Sequence, residues 1–465
     1  MKEGLESHDD SGVGRDRRAD EAAGPGRCRT SRITAAMTFT GLAAALLATA
    51  ALTTPWQPLP EAVPGGAVAP DPARDFTPAQ LKLSAGFDAA ISPPAHLGLA
   101  AGLAAVLLLG LTPLGARLLD VVGGPIRHRP LRMVMAACTL TAALRVVGLP
   151  FDIWAETVLR RYGLSTQSWG GWTADQFKSL LITVLAWVVV LLLLHVLVRR
   201  FPRYWWAGAA ATGAALVIAV SFLYPVVVEP VFNSFKPMAA GPVRNELLRL
   251  AAADGVPVQD VLVADASQRT TTLNAYVSGF GSTRRIVVYD TLLESARPDE
   301  VRLIVAHELG HAQRGDVLYG TLLGALGVAA GVCLLYLLMS SRPLLRRAGL
   351  ASSRSPVPAA ADHRPVALLL AVVTVLIQLG GPLQNLVSRR IEARADVHAL
   401  DLTGDPATFT RMQRSLSTRN LSDLRPGPLE YVLWATHPTG PERIAMARVW
   451  ARVHNRPEPS PLAGP

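Results

Sequence analysis

Long apolar runs separate polar segments along most of this chain. Seven of these runs, each of roughly 19 to 24 residues, are long enough to cross the hydrocarbon layer of a membrane as helices. The runs lie near 33–52, 95–116, 131–149, 180–198, 205–228, 317–339 and 365–387. The third is the weakest, because Arg132 and Arg145 flank or enter it and a charge inside a span is costly unless it faces protein or water. The pattern predicts an α-helical polytopic membrane protein with about seven transmembrane helices.

Two polar segments, 229–316 and 388–456, interrupt this apolar pattern. In the first, apolar positions at helical spacing predict a helix over 241–255, while "VLVAD" and "RRIVVYD" predict strands. A second helix is predicted over 295–315, because this stretch opens with Pro298 and acidic residues before its apolar positions begin. The segment is therefore expected to contain a small β-sheet and a helix.

The remaining segments complete the expected organisation. Residues 33–228 form a five-span membrane region, and 317–387 form a transmembrane hairpin between the two polar segments. The first run also resembles a signal peptide, although its leader of 32 residues is long for one. The tails 1–32 and 457–465 and the loop 350–363 are rich in Gly, Pro or charged residues. We expect these three stretches to be disordered.

Composition and charge agree with a membrane protein. Half of the residues are hydrophobic and only 17% are charged. The net charge of +10 comes nearly all from arginines concentrated between apolar runs, which indicates membrane topology and not a nucleic-acid partner. The three cysteines are an odd number, and two of them lie in apolar runs. They predict neither a disulfide framework nor a cysteine metal cluster.

Basic residues are distributed unevenly between the loops. Loops 117–132, 199–203 and 340–364 carry twelve in 46 positions, whereas loops 55–94 and 150–179 carry five in 70. Short loops rich in Lys and Arg stay in the cytoplasm. The asymmetry predicts a cytoplasmic amino terminus, and seven crossings then place both polar segments on the extracytoplasmic side. Because the arginine-heavy composition suggests a high-GC bacterial source, we expect the bacterial plasma membrane.

The sequence "VAHELGHAQRGD" carries an H-E-x-x-H pattern on the helix predicted over 295–315. Residues four apart share one face of a helix, so the imidazoles of His307 and His311 can bind one zinc ion. Glu308 points beside that ion, where it can act as the general base of peptide hydrolysis. The alternative is a chance grouping of polar residues, which the helical context disfavours.

A catalytic zinc takes three protein ligands and keeps one position open for water. The second polar segment offers four candidates for the third ligand, namely Glu392, Asp396, His398 and His437. Glu392 and Asp396 are four apart on a predicted helix, so one can ligate while the other holds a ligand imidazole. Pairing of Glu392 with Arg389 or Arg390 on a solvated face is the alternative, and spacing does not decide between them.

Several motifs together resemble the integral-membrane zinc peptidases of the CAAX prenyl protease type 1 family, a sister group of the heat-shock membrane proteases. HELGH is followed, after one membrane hairpin, by "NLVSRRIEARAD", which matches the family pattern S-R-x-x-E-x-x-A-D. The resemblance extends to "YPVVVEPVFNSFKPM", "LNAYVSGFGSTRRIVVYDTLL" and "HPTGPER", and covers roughly residues 145–450.

The resemblance implies a role for each matching residue. Glu392 becomes the third zinc ligand, and Asp396 supports a ligand from behind. His437 and Arg443 would stabilise the oxyanion that forms during hydrolysis, whereas on their own they would suggest only a helix start. Asn274 and Tyr276 lie in a stretch that would bind the substrate main chain, and their alternative is an ordinary turn beside a strand.

The predicted function is zinc-dependent cleavage of peptides or membrane proteins by an enzyme embedded in the lipid bilayer. Two features differ from the best-known family members, which cut prenylated CAAX peptides and face the cytosol. The charge pattern here favours an external site, and a high-GC bacterium is not expected to contain prenylated CAAX proteins. The competing interpretation is a non-enzymatic chamber-forming transporter or scaffold with a structural zinc site, which would normally be closed by four protein ligands.

Overall fold

The computed structural model describes residues 25–60, 63–350 and 363–462. Most of the expected disorder, over 1–24, 351–362 and 463–465, lies outside the described residues. In chain order the regular elements are α1 (Pro25–Thr53), α2 (Pro72–Asp75), α3 (Pro78–Leu111), α4 (Pro113–Gly123), α5 (Arg129–Arg161), α6 (Trp169–Arg200), α7 (Trp205–Leu223), α8 (Glu229–Phe232), β1 (Phe235–Pro237), α9 (Pro242–Ala253), β2 (Asp260–Ala264), β3 (Ala275–Ser278), β4 (Arg285–Tyr289), α10 (Asp290–Ser295), α11 (Pro298–Arg314), α12 (Asp316–Met339), α13 (Arg342–Arg347), α14 (Val366–Thr403), α15 (Pro406–Arg419), α16 (Pro428–Trp434) and α17 (Gly440–Val453).

Seven helices in the described part of the chain are long and apolar enough to cross a membrane, which confirms the predicted number of spans. They are α1, α3, α5, α6, α7, α12 and α14, with α7 continued through a π-helical turn at Tyr224–Val228 into α8. α14 extends to Thr403, well beyond its apolar part. Its polar end therefore extends beyond the apolar run. This end contains the first residues of the second polar segment, 388–403, and brings them to the site.

The helix boundaries differ from the prediction in two places. α1 begins at Pro25, inside the tail that was expected to be disordered up to residue 32. The predicted second span, 95–116, is broken, because the Thr112 hydroxyl accepts a hydrogen bond from the Leu114 amide (3.3 Å) and Pro113 starts a new helix. A side-chain cap followed by proline is a strong signal for a helix start.

Small residues bring α3 and α14 into close contact. A Cβ atom added at Gly110 would lie 2.3 Å from the Cβ of Ala371 and 2.7 Å from the carbonyl oxygen of Ala367. Only glycine fits at this crossing, as is common where membrane helices approach closely. α14 also packs against α11 outside the apolar region. The helix with the H-E-x-x-H motif is thereby fixed to the membrane region.

The sheet has the strand order β1-β2-β4-β3. β2 and β4 are the two strands predicted from the sequence, and they run parallel with Val261 opposite Ile286. Both of these side chains are fully buried. β3 pairs antiparallel with β4 and forms one outer edge of the sheet. β1 was not predicted, because a strand of three residues presents no readable alternation.

The described end of the carboxyl-terminal tail differs from the expectation of disorder. The Arg448 guanidinium, 1% exposed, donates to both carboxylate oxygens of Asp75 at 2.5 and 2.7 Å and to the backbone oxygens of Pro459 and Ser460. Arg452 of α17 also pairs with Glu458 (2.8 Å). A buried guanidinium needs several acceptors, so α17 holds both the tail and α2, which ends at Asp75.

Candidate metal centre

α11 places the two histidines of the motif on one face. The helix begins at Pro298, with Asp299 and Glu300 in its first turn, and it ends at Arg314, where Gly315 caps it with a φ of 69° that suits glycine. The ring centroids of His307 and His311 are 4.9 Å apart, and their Nε2 atoms are 3.2 Å apart. Helical spacing thus brings one ring nitrogen of each imidazole to a common point.

Glu392 of α14 lies opposite these nitrogens. Its Oε2 is 3.1 Å from Nε2 of His307, and its Oε1 is 3.6 Å from Nε2 of His311. One ligand atom from each of the three residues lies within 4.8 Å of the other two. Two imidazoles and one carboxylate form a donor set that suits zinc and similar metal ions. These residues therefore fit a metal ion held by three protein ligands.

Each imidazole is supported from behind by a carboxylate. Nδ1 of His307 is 2.9 Å from Asp396, which is fully buried, and Nδ1 of His311 is 2.9 Å from Asp316. Such a partner fixes the ring orientation and the tautomer, which leaves Nε2 with its lone pair toward the common point. Asp316 itself pairs with Arg394. Asp316 therefore joins His311 to Arg394.

The surroundings of His307 favour positive charge. Burial disfavours the charged imidazolium, but hydrogen bonds with Asp396 and Glu392 outweigh it and raise the pKa of His307 to about 10. The carboxylates that hold a proton so strongly are the groups that would stabilise a metal cation at the same point. The charges around this point and the types of donor atom therefore both favour a bound metal cation.

Glu308 is partly buried and lies beside the three candidate ligands rather than among them. It lines a cleft of about 520 Å³ together with His307, Glu392 and His437. Burial raises the pKa of the Glu308 carboxyl. A carboxylate with a raised pKa at the wall of a cleft is suited to accept and return a proton.

His437 and Arg443 border the same cleft. The imidazole of His437 is 57% exposed, and its Nε2 is 3.4 Å from Oε2 of Glu392. The Arg443 guanidinium pairs with Asp396 through Nε (2.7 Å) and Nη2. It therefore reaches the same carboxylate that supports His307. His437 is thus the exposed residue of the two, whereas Arg443 lies behind His307, with its Nη2 atom 3.3 Å from Nδ1 of that imidazole.

Asn274 immediately precedes β3, and Tyr276 is the second residue of that strand. Asn274 is exposed and lines both the 520 Å³ cleft and an adjoining cavity of about 710 Å³. The Tyr276 hydroxyl donates to Glu229 at 3.1 Å, although the residue also borders the larger cavity. Of the two residues, only Asn274 borders both the cleft and the adjoining cavity.

Two of the sequence candidates have other partners. His398 is 3.0 and 3.1 Å from the carboxylate oxygens of Asp254, and it packs against Gly310, where a Cβ would lie 2.9 Å from its ring. It is a core contact between α14 and α11. Arg389, considered as a partner of Glu392, instead donates to the backbone oxygens of Tyr431 and Ala435.

Sequence reasoning missed two contacts at the site. Arg394 pairs with Asp316 across 78 residues, and Asn420 pairs with the backbone of Leu273 across 147. Arg394 occupies a variable position of the S-R-x-x-E-x-x-A-D pattern, and Asn420 lies outside the quoted motifs. Arg394 occupies a helical position two residues after Glu392, which carried no signal of a partner on another element.

Two family models match the chain in succession. A model for the CAAX prenyl protease N-terminal region, with five membrane helices, matches residues 97–234, and the model for peptidase family M48 matches residues 237–451. The second range contains the H-E-x-x-H helix and Glu392. Together the two models cover most of the described chain.

Two curated relatives of this chain are named as proteases. The uncharacterized metalloprotease YhfN of Bacillus subtilis is 28% identical over 401 residues, which cover 86% of this chain and 92% of that protein. CAAX prenyl protease 1 of Saccharomyces cerevisiae is 26% identical, over 66% of this chain and 69% of its own length.

A solved structure supports the fold. The crystal structure of S. mikatae Ste24p matches with a TM-score of 0.69 at 21% identity, covering 89% of this chain and 98% of that one. With this architecture and the two successive family matches, the chain belongs to the CAAX prenyl protease family of membrane metalloendopeptidases, within peptidase family M48.

Proposed function

We propose that His307, His311 and Glu392 bind one zinc ion per chain and that Glu308 is the general base for peptide-bond hydrolysis. The observation that carries this proposal is the convergence of three ligand atoms within 4.8 Å of one another. Two imidazoles and a carboxylate, each imidazole backed by an aspartate, match a catalytic zinc site with one open position. When bound there, zinc supplies a Lewis acid and lowers the pKa of a water molecule at neutral pH.

Glu308 handles the proton in this proposal. Its carboxylate accepts a proton from the attacking water and then donates it to the nitrogen of the leaving amine. The raised pKa of Glu308 suits both steps, because a very weak base would not take the proton and a very strong one would not return it. Its place beside the ligands keeps it free for this transfer.

His437 and Arg443 are the proposed oxyanion donors. Nε2 of His437 faces Glu392 across the open side of the site. Nε and Nη2 of Arg443 are bonded to Asp396, and Nη1 takes no part in those bonds. Donors held in place before the reaction stabilise the negative charge that develops on the scissile carbonyl oxygen. Asp396 acts indirectly, since it orients both His307 and Arg443.

A peptide substrate is proposed to lie along the outer edge of β3. An extended peptide can add to a free strand edge through backbone hydrogen bonds, with little demand on side-chain sequence. Asn274 is proposed to bind the substrate main chain from that edge, with Tyr276 lining the adjoining cavity. Peptides, membrane proteins and CAAX-type peptides are the substrate classes we propose, and the last comes from the names of the relatives alone.

A non-enzymatic transporter or scaffold with a structural zinc site is not favoured. A structural site is usually closed by four protein ligands, whereas the group here offers three. The carboxylate of Glu308 is not among these three ligands and lies at the cleft wall.

Metal content and cleavage test the proposal together. The protein purified in detergent should hold one zinc ion per chain by elemental analysis and should cleave an unstructured, fluorescently quenched peptide. A chelator should abolish cleavage and zinc should restore it. Cleavage that continues at full rate in protein stripped of metal would contradict the proposal.

We further propose that the site faces the extracytoplasmic side of a bacterial plasma membrane, as the arginine asymmetry of the loops favours. Alkaline phosphatase, which is active only outside the cytoplasm, can be fused after residue 240 or after residue 345. The first fusion should be active and the second inactive. The reverse pattern would place the site in the cytoplasm.

A further inference from the structure

The outer edge of β3 has a fixed set of backbone groups. The amide of Tyr289 donates to the carbonyl of Asn274 at 3.0 Å, so Asn274 turns its backbone groups toward β4. Because alternate residues of a strand turn their backbone groups to opposite sides, Leu273, Ala275 and Val277 turn theirs to the free edge. These are the groups that an added peptide strand would pair with.

This free edge runs beside the catalytic residues. Leu273 borders the 520 Å³ cleft, and Ala275 and Val277 border the adjoining 710 Å³ cavity. Asn274 and Glu308 line both cavities, which therefore meet at the site. A peptide on the edge would pass Glu308 as it moves from one cavity to the other.

One of the three edge positions is already paired. The amide of Leu273 donates to Oδ1 of Asn420 at 2.8 Å, and Nδ2 of Asn420 donates to the carbonyl of Leu273 at 3.2 Å. A residue of an added strand would make the same pair of hydrogen bonds. The carboxamide of Asn420 thus occupies the place that the next residue of a bound peptide would need.

The backbone after Asn420 holds this carboxamide in a rigid turn. Leu421 has φ of 49°, in the left-handed region that favours glycine, so a non-glycine residue is strained there. The turn is closed by the amide of Ser422, which donates to the carbonyl of Ser417 at 3.0 Å. Leu421 is 7% exposed, so its burial fixes the unusual conformation.

We propose that Asn420 is a strand stop that sets the register of the bound peptide. It limits backbone pairing on the free edge to Ala275 and Val277, and so fixes which peptide bond lies beside Glu308. This inference rests on the proposed function, since it concerns the substrate of that same site. Asn420 is a positioning residue, because it acts by occupying Leu273.

Peptides with single N-methylated backbone amides test this inference. N-methylation removes one donor, and a backbone hydrogen bond contributes about 1 kcal/mol, or roughly a fivefold change in kcat/KM. In the parent protein, we expect sensitivity at the positions that pair with Ala275 and Val277. In Asn420→Ala, a new sensitive position should appear two residues further along the peptide, where Leu273 has become available. The cleavage position, read by mass spectrometry, should also become less uniform.

Arg419→Ala is the matched control, because Arg419 is exposed at the same helix end and borders neither cavity. It should keep the parent pattern. If Asn420→Ala does not fold, Asn420→Ser is the second variant, since its side chain is too short to reach both backbone groups of Leu273. An unchanged N-methylation pattern in a folded Asn420 variant would overturn the inference while leaving the proposed function intact. A parent protein that cuts no peptide would overturn both.

Discussion

The spans that carry the site differ from the spans that surround it. In α12 and α14, 39% and 33% of the most apolar stretch is buried within the protein, whereas the five preceding spans bury between 0 and 17%. Leu181 and Leu185 of α6, for example, are 60% and 61% exposed on the protein alone. Such faces suit lipid, which is as apolar as the side chains themselves.

The two regions differ in how many residue types each position can accept. A lipid-facing position needs only to be apolar, so many residues are equivalent there. The helices around the site are held by specific pairs, such as Gly110 against Ala371 and His398 against Asp254. We therefore expect function and stability to be sensitive to substitution in α11 and α14 and tolerant of it on the outer faces of α1, α3, α5, α6 and α7.

The largest expected effect follows from removing a metal ligand. His311→Ala should lose both bound zinc and cleavage. The two remaining ligands, His307 and Glu392, bind zinc far more weakly than three ligands do. Elemental analysis and a peptide assay measure the two properties on one preparation. His454→Ala is the control and should keep both, because this partly exposed histidine lies just after the end of α17 and outside the site. Full zinc occupancy in His311→Ala would show that the metal is bound elsewhere.

A pair of leucines tests the comparison through stability. Leu309 of α11 is fully buried, so Leu309→Ala should cost about 3 kcal/mol or more and lower the thermal midpoint by about 5 °C or more. Leu185→Ala on α6 should change the stability by about 0.5 kcal/mol or less. Thermal unfolding in the same detergent provides the measurement. Equal losses for the two variants would remove the distinction between the regions.

The proposed oxyanion donor should affect turnover and not metal. His437→Ala should lower kcat by about a hundredfold while zinc occupancy stays near that of the parent. The reason is that His437 is mostly exposed on the open side of the site. If His437→Ala strips the metal, His437 is a ligand and Glu392 has been assigned wrongly.

The aspartate behind His311 should have the smallest effect of this set. Asp316→Asn should weaken zinc binding about tenfold to a hundredfold, since it removes the carboxylate that fixes the imidazole. A competition titration with a zinc indicator measures the change. Asp299→Asn, at the exposed start of α11, should leave the affinity unchanged. Equal zinc affinity in both variants would mean that Asp316 does not support the ligand His311 and serves only in its ion pair with Arg394.

The sequence predicted local features well and long-range contacts poorly. The spans follow from continuous apolar runs. The strands β2 and β4 and the helix of His307 and His311 follow from the residue pattern within one short segment. The choice between Glu392 and Asp396 did not, because residues four apart on a helix share a face and spacing alone treats them alike. The resemblance chose Glu392, and in the structure Glu392 faces both Nε2 atoms while Asp396 faces Nδ1 of His307.

Other contacts had no local signal at all. The Asp75–Arg448 pair joins residues 373 apart, and the tail beside it was expected to be disordered because its proline content is typical of disorder. Asn420 and Leu273 meet only because the helix end of α15 is folded onto the edge of β3. Such pairs depend on the tertiary fold, which neither periodicity nor composition specifies.

The most direct test of the account is a paired measurement on Glu308→Gln, purified as the full chain in detergent. Zinc content and cleavage of an unstructured peptide are measured beside the parent protein. We expect near-stoichiometric zinc with cleavage reduced at least about a thousandfold, because glutamine leaves the ligands intact but cannot take the proton. A variant that cleaves as fast as the parent would contradict the assignment of Glu308 as general base, and a variant that loses its zinc would place Glu308 among the ligands.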